Sequence, residues 1–203
     1  QKYFVSMSAA WKRDFPNVRR YYMFQIWPSA CAMGRDGNGD MLREQQRILS
    51  RLYSNMEILS TLGIQPPGGC HFPLEGWGVF ADRVQRLIER DFYGANFDEP
   101  ITAANLIGAR YSDDKLRAID LEFDQPVVWD DQLVSQFYLD DESGKIASAL
   151  VKGNVVTLKL TEAGSYSRIT YLKESSWNPK NLLRGENGMA ALTFCNVAIK
   201  TWP

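Results

Sequence analysis

The stretch that decides the fold class is Tyr21-Tyr22-Met23-Phe24-Gln25-Ile26-Trp27, a short and nearly continuous apolar run. A run of this length and composition predicts a strand that is covered on both faces, as in a parallel sheet. After it, residues 28–39 are rich in small residues and predict a loop. Asp40 then predicts a helix cap, and the apolar positions of the helix that follows recur at helical spacing. We expect the charged residues of that helix to form a solvated face, which holds Arg43, Glu44 and Gln46.

The same alternation of helix and strand continues on both sides of this run. Residues 8–15 predict a short helix, and residues 56–62 predict a strand, although a continued helix is an alternative. Residues 63–73 predict a loop. A second long helix then carries an apolar stripe from Trp77 to Phe92 and ends at Gly94. Alternating strands and helices predict an α/β domain with a parallel sheet over residues 1–96.

Residues 97–203 have a different texture. The segments 117–123, 155–160 and 168–172 alternate apolar and polar residues with period two, and polar turns separate them. Short strands with frequent turns and no clear helix predict an all-β sandwich domain. We therefore expect two domains, with the boundary near residue 96.

The composition excludes several classes of function. The formal net charge of the 203 residues is −1, which argues against a nucleic-acid binder. No apolar run approaches the roughly 18 residues that span a membrane. A single histidine excludes a multi-histidine metal site, and the three cysteines have no metal-ligand spacing, so we expect no metal and no cofactor. Residues 36–40 resemble the start of a calcium loop, but Met41 and Arg47 occupy the positions where the loop needs Gly and Glu.

His71 is the main candidate for chemistry. It lies on a loop that follows a predicted strand and precedes a helix, and reactive residues of α/β sheets occupy such loops. The pattern alone leaves two possibilities open, a structural histidine and a general base. Trp27 and Trp77, near the loop ends of this half, are candidate platforms for a sugar, although most tryptophans serve the core.

No nucleophile accompanies this histidine. The chain has no Gly-x-Ser-x-Gly elbow, and Ser29 lacks the glycine-flanked turn of a nucleophile. Cys70 adjoins His71, but adjacent residues of an extended loop point in opposite directions. We expect Cys31, Cys70 and Cys195 to be buried or inert thiols.

Several motifs, taken in order, resemble one family. They are Trp11-Lys12-Arg13-Asp14-Phe15-Pro16 with Tyr22-Met23-Phe24-Gln25, then Leu42-Arg43-Glu44-x-Gln46, Gly69-Cys70-His71-Phe72-Pro73 with Gly76 and Arg83, Phe92-Tyr93-Gly94, and in the tail Ile169-Thr170-Tyr171, Asn181-Leu182 and residues 186–194. Together they are similar to the sialate O-acetylesterase-like carbohydrate esterases of the SGNH (GDSL-type) hydrolase superfamily. The resemblance covers almost the whole chain.

The resemblance implies a serine esterase that removes O-acetyl groups from sugars of the sialic acid or plant polysaccharide type. His71 matches the histidine that accepts the serine proton. The implied fold is the C-terminal part of a three-layer α/β/α domain, followed by an appended β domain. Members are often secreted or periplasmic, and we expect the same here.

Two departures accompany the resemblance. Gly68 occupies the position of the Asp that orients the histidine in the family. The nucleophilic serine block is also absent, so we expect the N-terminal half of the same gene product to be a separate or missing segment that pairs with the strand at 21–27. An alternative is a non-catalytic carbohydrate-binding or structural module, or an inactive esterase homologue. A complete small protein with a structural role is a third possibility.

Overall fold

A computed structural model describes residues 1–28, 38–66 and 71–202. Cys31, Gly68 and Cys70, together with residues 36 and 37 of the rejected calcium loop, lie outside the described residues. The elements of the first half are α1 (Lys2–Asp14), β1 (Tyr21–Gln25), α2 (Asn38–Leu52), β2 (Met56–Ser60), a 3₁₀ turn (Leu74–Gly76) and α3 (Trp77–Tyr93). The predicted order of strands and helices is confirmed, and strand is the correct reading of residues 56–60.

The strands β1 and β2 pair in parallel, from Tyr21 opposite Met56 to Gln25 opposite Ser60. Two apolar clusters cover the pair, one built around Phe4, Leu49, Met56 and Ile58 and the other around Leu59, Leu87 and Ile101. Because successive side chains of a strand point to opposite faces, Ile58 and Leu59 enter different clusters. This half is therefore a parallel α/β unit.

Helix α3 ends as predicted, with Gly94 in the left-handed conformation at φ 71°. Its apolar stripe is only partly covered. Leu87 is fully buried, whereas Trp77 and Phe92 are exposed. The apolar stripe of this helix is therefore buried at Leu87 and exposed at Trp77 and Phe92.

The second half consists of short strands. They are β3 (Leu106–Tyr111), β4 (Ala118–Phe123), β5 (Val127–Val128), β6 (Phe137–Leu139), β7 (Ile146–Lys152), β8 (Val155–Leu160), β9 (Arg168–Tyr171), β10 (Arg184–Gly185) and β11 (Phe194–Lys200), with a 3₁₀ turn at Asp131–Gln136. No α-helix occurs in the described residues from 95 to 202, as predicted. The period-two pattern works as expected in β4, where Ile119, Leu121 and Phe123 are buried and Glu122 is exposed.

Seven of these strands form one curled sheet in the order β6-β9-β11-β3-β4-β8-β7, and β5 pairs with β10 separately. The sequence predicts two packed sheets instead. The difference originates in β11, whose first part pairs with β9 and whose last residues pair with β3. Within the pairing with β9 the register shifts between Phe194 and Val197, where Asn196 has φ 55° and the strand bends. Strands from both ends of the curled sheet bury their side chains in a single core.

The face of α2 that the sequence predicts to be solvated is buried, and this is a correction. Arg43 is 1% exposed and Glu44 is also buried. The Arg43 guanidinium contacts Asp40, lies 3.5 Å from Oε2 of Glu174, and donates from Nε to Oγ1 of Thr193 at 3.2 Å. Charged side chains are tolerated in such a position only because they are paired and hydrogen-bonded.

A second arginine, one turn along the helix, repeats this arrangement. Arg47 donates to both carboxylate oxygens of Glu44, at 2.8 and 2.6 Å. Its Nη1 also donates to Oδ1 of Asn105 at 2.8 Å and to the carbonyl of Leu106 at 2.7 Å. The two arginines therefore attach α2 to the strand-rich half.

Gln25 completes the connection from the end of β1. Its amide nitrogen donates to the carbonyls of Arg43 and Thr193, at 3.0 and 2.9 Å. Its amide oxygen accepts from the backbone N–H of Thr193 at 2.9 Å. Oε1 of Gln46 accepts from the N–H of Ile26 at 2.9 Å. The end of β1 is thus held against both α2 and the segment that enters β11.

Candidate functional site

The candidate site lies at the carboxyl edge of the parallel pair. Gln25 and Ser60 end their strands side by side, so the segments that follow β1 and β2 leave from the same edge. Oγ1 of Thr61 donates to the carbonyl of Gln25 at 2.9 Å, and this hydrogen bond connects the segments that follow the two strands. Ligands of open α/β sheets bind beyond this edge. Because Trp27 follows β1 and its ring contacts that of Phe72, the residue after His71 lies near this edge.

His71 itself is exposed and precedes the 3₁₀ turn that opens α3. Among the described residues it has no hydrogen bond or ion pair with another side chain. The position that the family fills with an orienting Asp, Gly68, is outside the described residues. The role of His71 as a general base stays a prediction.

Phe72, the residue after His71, belongs to an aromatic cluster that we define as Phe24, Trp27, Phe72, Phe80 and Trp177. Its ring centre lies 5.5 Å from that of Trp27 and 4.6 Å from that of Phe80, and both pairs are nearly perpendicular. The ring centres of Phe24 and Phe80 are 4.7 Å apart, and those of Trp177 and Trp27 are 4.9 Å apart. Edge-to-face pairs at such distances are favourable beyond the area they bury. The cluster therefore anchors the backbone next to His71.

The two tryptophans flagged as sugar platforms both approach Phe72, in different ways. Trp27 is half-buried inside the aromatic cluster. Trp77 is 59% exposed, and its indole N–H donates to the carbonyl of Phe72 at 3.4 Å. The structure thus brings Trp27, Trp77 and the neighbour of His71 together, and Trp77 offers the larger free surface.

Trp177 is a member of the cluster that sequence reasoning missed. It comes from the strand-rich half, 150 positions after Trp27 along the chain. No local pattern marks it, because its environment is created by the packing of the two halves. Its contact with Trp27 means that the strand-rich half helps to build the site region.

Two arginine side chains, one from α3 and one from β10, contact the end of β2 and the turn that follows it. Nη1 of Arg83 donates to the carbonyl of Ser60 at 2.5 Å. The guanidinium of Arg184 packs on Gly63, where a Cβ would lie 3.0 Å from its Nη1. Burial, and after it the positive charge of Arg184, lowers the pKa of Arg83. Neither arginine has an ion pair within the described ranges.

The described residues contain no group of three or more His, Cys, Asp or Glu side chains that could hold a metal ion. Cys195 is buried, as predicted, and burial raises the pKa of its thiol. Of the helices in the described part of the chain, none has the length and apolar character needed to cross a bilayer.

Comparison with known proteins gives one informative result. No family model matches the chain, and no curated protein matches it. Among solved structures, the chain is similar to XAC1771, a carbohydrate acetylesterase from Xanthomonas citri, with a TM-score of 0.70 and 18% identity. The match covers 94% of this chain and 44% of that one, so the chain spans less than half the length of the esterase. The chain therefore has the fold of part of a carbohydrate esterase.

Proposed function

We propose that the protein is a serine esterase that removes O-acetyl groups from carbohydrates, and that this chain supplies its histidine. The observation that carries the proposal is the shared fold with a carbohydrate acetylesterase over 94% of the chain. The position of His71 beyond the carboxyl edge of β1 and β2 supports it. The resemblance of the sequence motifs to SGNH esterases supports this proposal, which assigns the protein to that superfamily.

In the proposed reaction, a serine hydroxyl from outside this chain attacks the acetyl carbonyl, and His71 accepts the hydroxyl proton. The same proton passes to the sugar oxygen as the ester bond breaks, which leaves an acetyl-serine. Water then attacks this ester with His71 again as base, and acetate leaves. The exposed position of His71 is compatible with contact to a second segment.

The substrate in this proposal is an acetylated sugar of the sialic acid or plant polysaccharide type. Trp77 presents an exposed indole that donates to the carbonyl of Phe72, the residue after His71, and Trp27 contacts the ring of Phe72. An aromatic face can pack on the apolar side of a sugar ring while its hydroxyls bind elsewhere. The proposal gives these two tryptophans the substrate-binding role.

The proposal includes a missing part of the catalytic domain. Residues 1–96 would be the later part of an SGNH-like domain with three layers, and residues 97–203 an accessory β domain. Within the described residues β1 pairs only with β2, so its other edge carries unpaired backbone groups, and β1 is only half-buried over most of its length. Trp11, Phe15 and Phe92 are also exposed on the neighbouring helices. The N-terminal half of the gene product would cover this surface, and the whole protein would be secreted or periplasmic.

The test is a comparison of the full-length protein with its His71→Asn variant. Release of acetate from acetylated xylan and from O-acetylated sialic acid should fall by about a hundredfold or more in the variant, as expected for loss of a general base. Glu75→Ala, an exposed change on the same segment, is the matched control and should leave the rate unchanged. Equal rates for His71→Asn and the native protein would refute the role of His71. Glycan binding by a protein that releases no acetate would favour the non-catalytic alternative.

A further inference from the structure

A cleft of about 340 Å³ lies in the strand-rich half, away from the residues assigned to catalysis. One wall is residues 128–133, from β5 into the 3₁₀ turn, and the other is residues 180–188 around β10. The volume lies near the lower end of the range of about 300–1,000 Å³ that is typical of small-molecule sites. It would admit a ligand the size of one or two sugar units.

The cleft carries polar side-chain groups that have no hydrogen-bond or ion-pair partner in the described part of the chain. The side-chain amides of Gln132 and Asn181 line it, and neither makes a hydrogen bond within the described residues. Lys180 and Glu186 line it as well, and among the described residues neither has an ion pair. An amide offers both a donor and an acceptor, and so does every sugar hydroxyl. The unused groups therefore match a ligand rich in hydroxyls.

Trp129 supplies an apolar surface beside these groups. Its indole N–H donates to Oδ1 of Asp131 at 3.1 Å, and its ring centre lies 5.4 Å from that of Phe137 in the core. These contacts hold the ring in one orientation before any ligand binds, which lowers the entropic cost of binding. A fixed aromatic surface next to free amides is suited to a sugar ring, which has apolar C–H groups and polar hydroxyls.

The charges of the cleft select against other ligand classes. Lys180 and Arg184 contribute two positive charges, and Asp130 and Glu186 contribute two negative ones. A phosphate or nucleotide site would need a positive excess, and a purely apolar ligand would strip water from four charged groups. A neutral, hydroxyl-rich ligand meets neither penalty.

We propose that this cleft is an accessory binding site for neutral saccharide units. Its ligand class rests on the proposed function, in which the substrate is a carbohydrate. Arg184 lines the cleft and also packs on Gly63, in the turn after β2. Arg184 therefore connects the cleft to the turn from which the chain continues toward His71. The site would hold the glycan chain while an acetyl group reaches the catalytic residues.

Binding of neutral disaccharides to the full chain tests the proposal. Xylobiose, cellobiose and glucose 6-phosphate are titrated by isothermal calorimetry and by amide NMR. We expect the two neutral disaccharides to bind and to shift the resonances of residues 128–133 and 180–188. The affinity should fall by about fivefold or more in Gln132→Ala and Asn181→Ala, as expected when one hydrogen bond is lost. Trp129→Phe keeps a ring on Phe137 and should also weaken binding, whereas Trp202→Phe is the matched control.

Four outcomes would overturn the proposal. They are no binding of either disaccharide, tighter binding of the phosphorylated sugar, binding that Gln132→Ala and Asn181→Ala leave unchanged, and resonance shifts confined to the surroundings of Trp77. Acetate release by the full-length protein is measured separately. Disaccharide binding in the cleft by a protein without esterase activity would support this site and refute the proposed function. Esterase activity without disaccharide binding would refute the site alone.

Discussion

Replacement of Arg43 by Met should be among the most destabilising single changes in this protein. The Arg43 side chain is 1% exposed, and the carboxylates of Asp40 and Glu174 beside it are 10% and 9% exposed. Met fills a similar volume without the charge, so both carboxylates would remain buried with no cation. Oε1 of Glu174 already has no hydrogen-bond partner among the described residues. Removing one partner of a buried ion pair costs about 3–5 kcal/mol, and we expect a loss in that range.

The measurement is urea unfolding of the full chain, followed by circular dichroism. The urea concentration at the midpoint of unfolding should fall. The slope of the free energy of unfolding against urea concentration should stay constant, because the surface exposed on unfolding is unchanged. Arg13→Met is the matched control. Arg13 pairs with Asp14 on the surface, where both side chains are more than half exposed, and the change should stay within about 0.5 kcal/mol.

A rescue variant distinguishes the cost of leaving the two carboxylates unpaired from the cost of the lost packing. Arg43→Met combined with Asp40→Asn and Glu174→Gln removes the uncompensated carboxylates and should recover most of the stability. Two results would refute the reasoning. One is a loss below about 1 kcal/mol for Arg43→Met, the size of an exposed ion pair. The other is a triple variant no more stable than the single one.

Two further predictions concern stability. Gly63→Ala should lower the melting temperature more than Gly94→Ala: both residues have φ near 72°, but a Cβ at 63 meets Arg184 at 3.0 Å whereas nothing lies within 4 Å at 94. Thermal unfolding measures both, and equal losses would contradict the close contact. Burial, and then the hydrogen bond and charge of Asp91, raises the pKa of Tyr22 from 10.0 to about 12. A raised pKa stabilises the fold fully below pH 10, and this stabilisation is lost as the pH rises to about 12. The free energy of unfolding of Tyr22→Phe, measured in urea, should therefore depend less on pH between these values than that of the native protein. The same pH dependence in both proteins would refute this.

Local patterns predict most of the elements, because their cause is local. The helix α3 shows the apolar spacing of 3.6 residues and a glycine at its end, and β4 alternates with period two. The short apolar run at Tyr21 identifies a parallel strand, and the order of strand, loop and helix predicts that His71 lies near the carboxyl edge. These features depend on backbone geometry and on neighbours a few positions away.

The environment of α2 is not predictable in this way. Arg43, Glu44 and Arg47 have the composition of a solvated face, and only the packing of β11 and of residues near 105 and 174 shows that they are buried. The same limit applies to the aromatic cluster, in which Trp177 reaches Trp27 from the other half of the chain. Partners separated by more than a hundred positions leave no periodic signal.

The sequence by itself determined the mixed α/β character of the chain and the positions of most strands and helices, and it singled out His71 as the candidate for chemistry. Hydrophobic periodicity and the special backbone preferences of glycine are short-range effects, so they can be recognised from a few neighbouring residues. The tertiary structure alone decided that a charged helix face is buried, that β11 curls seven strands around one core, and that Arg184 joins the cleft at Trp129 to the turn after β2. Those features depend on which distant segments meet, and pairing between distant segments is set by the global packing of the chain.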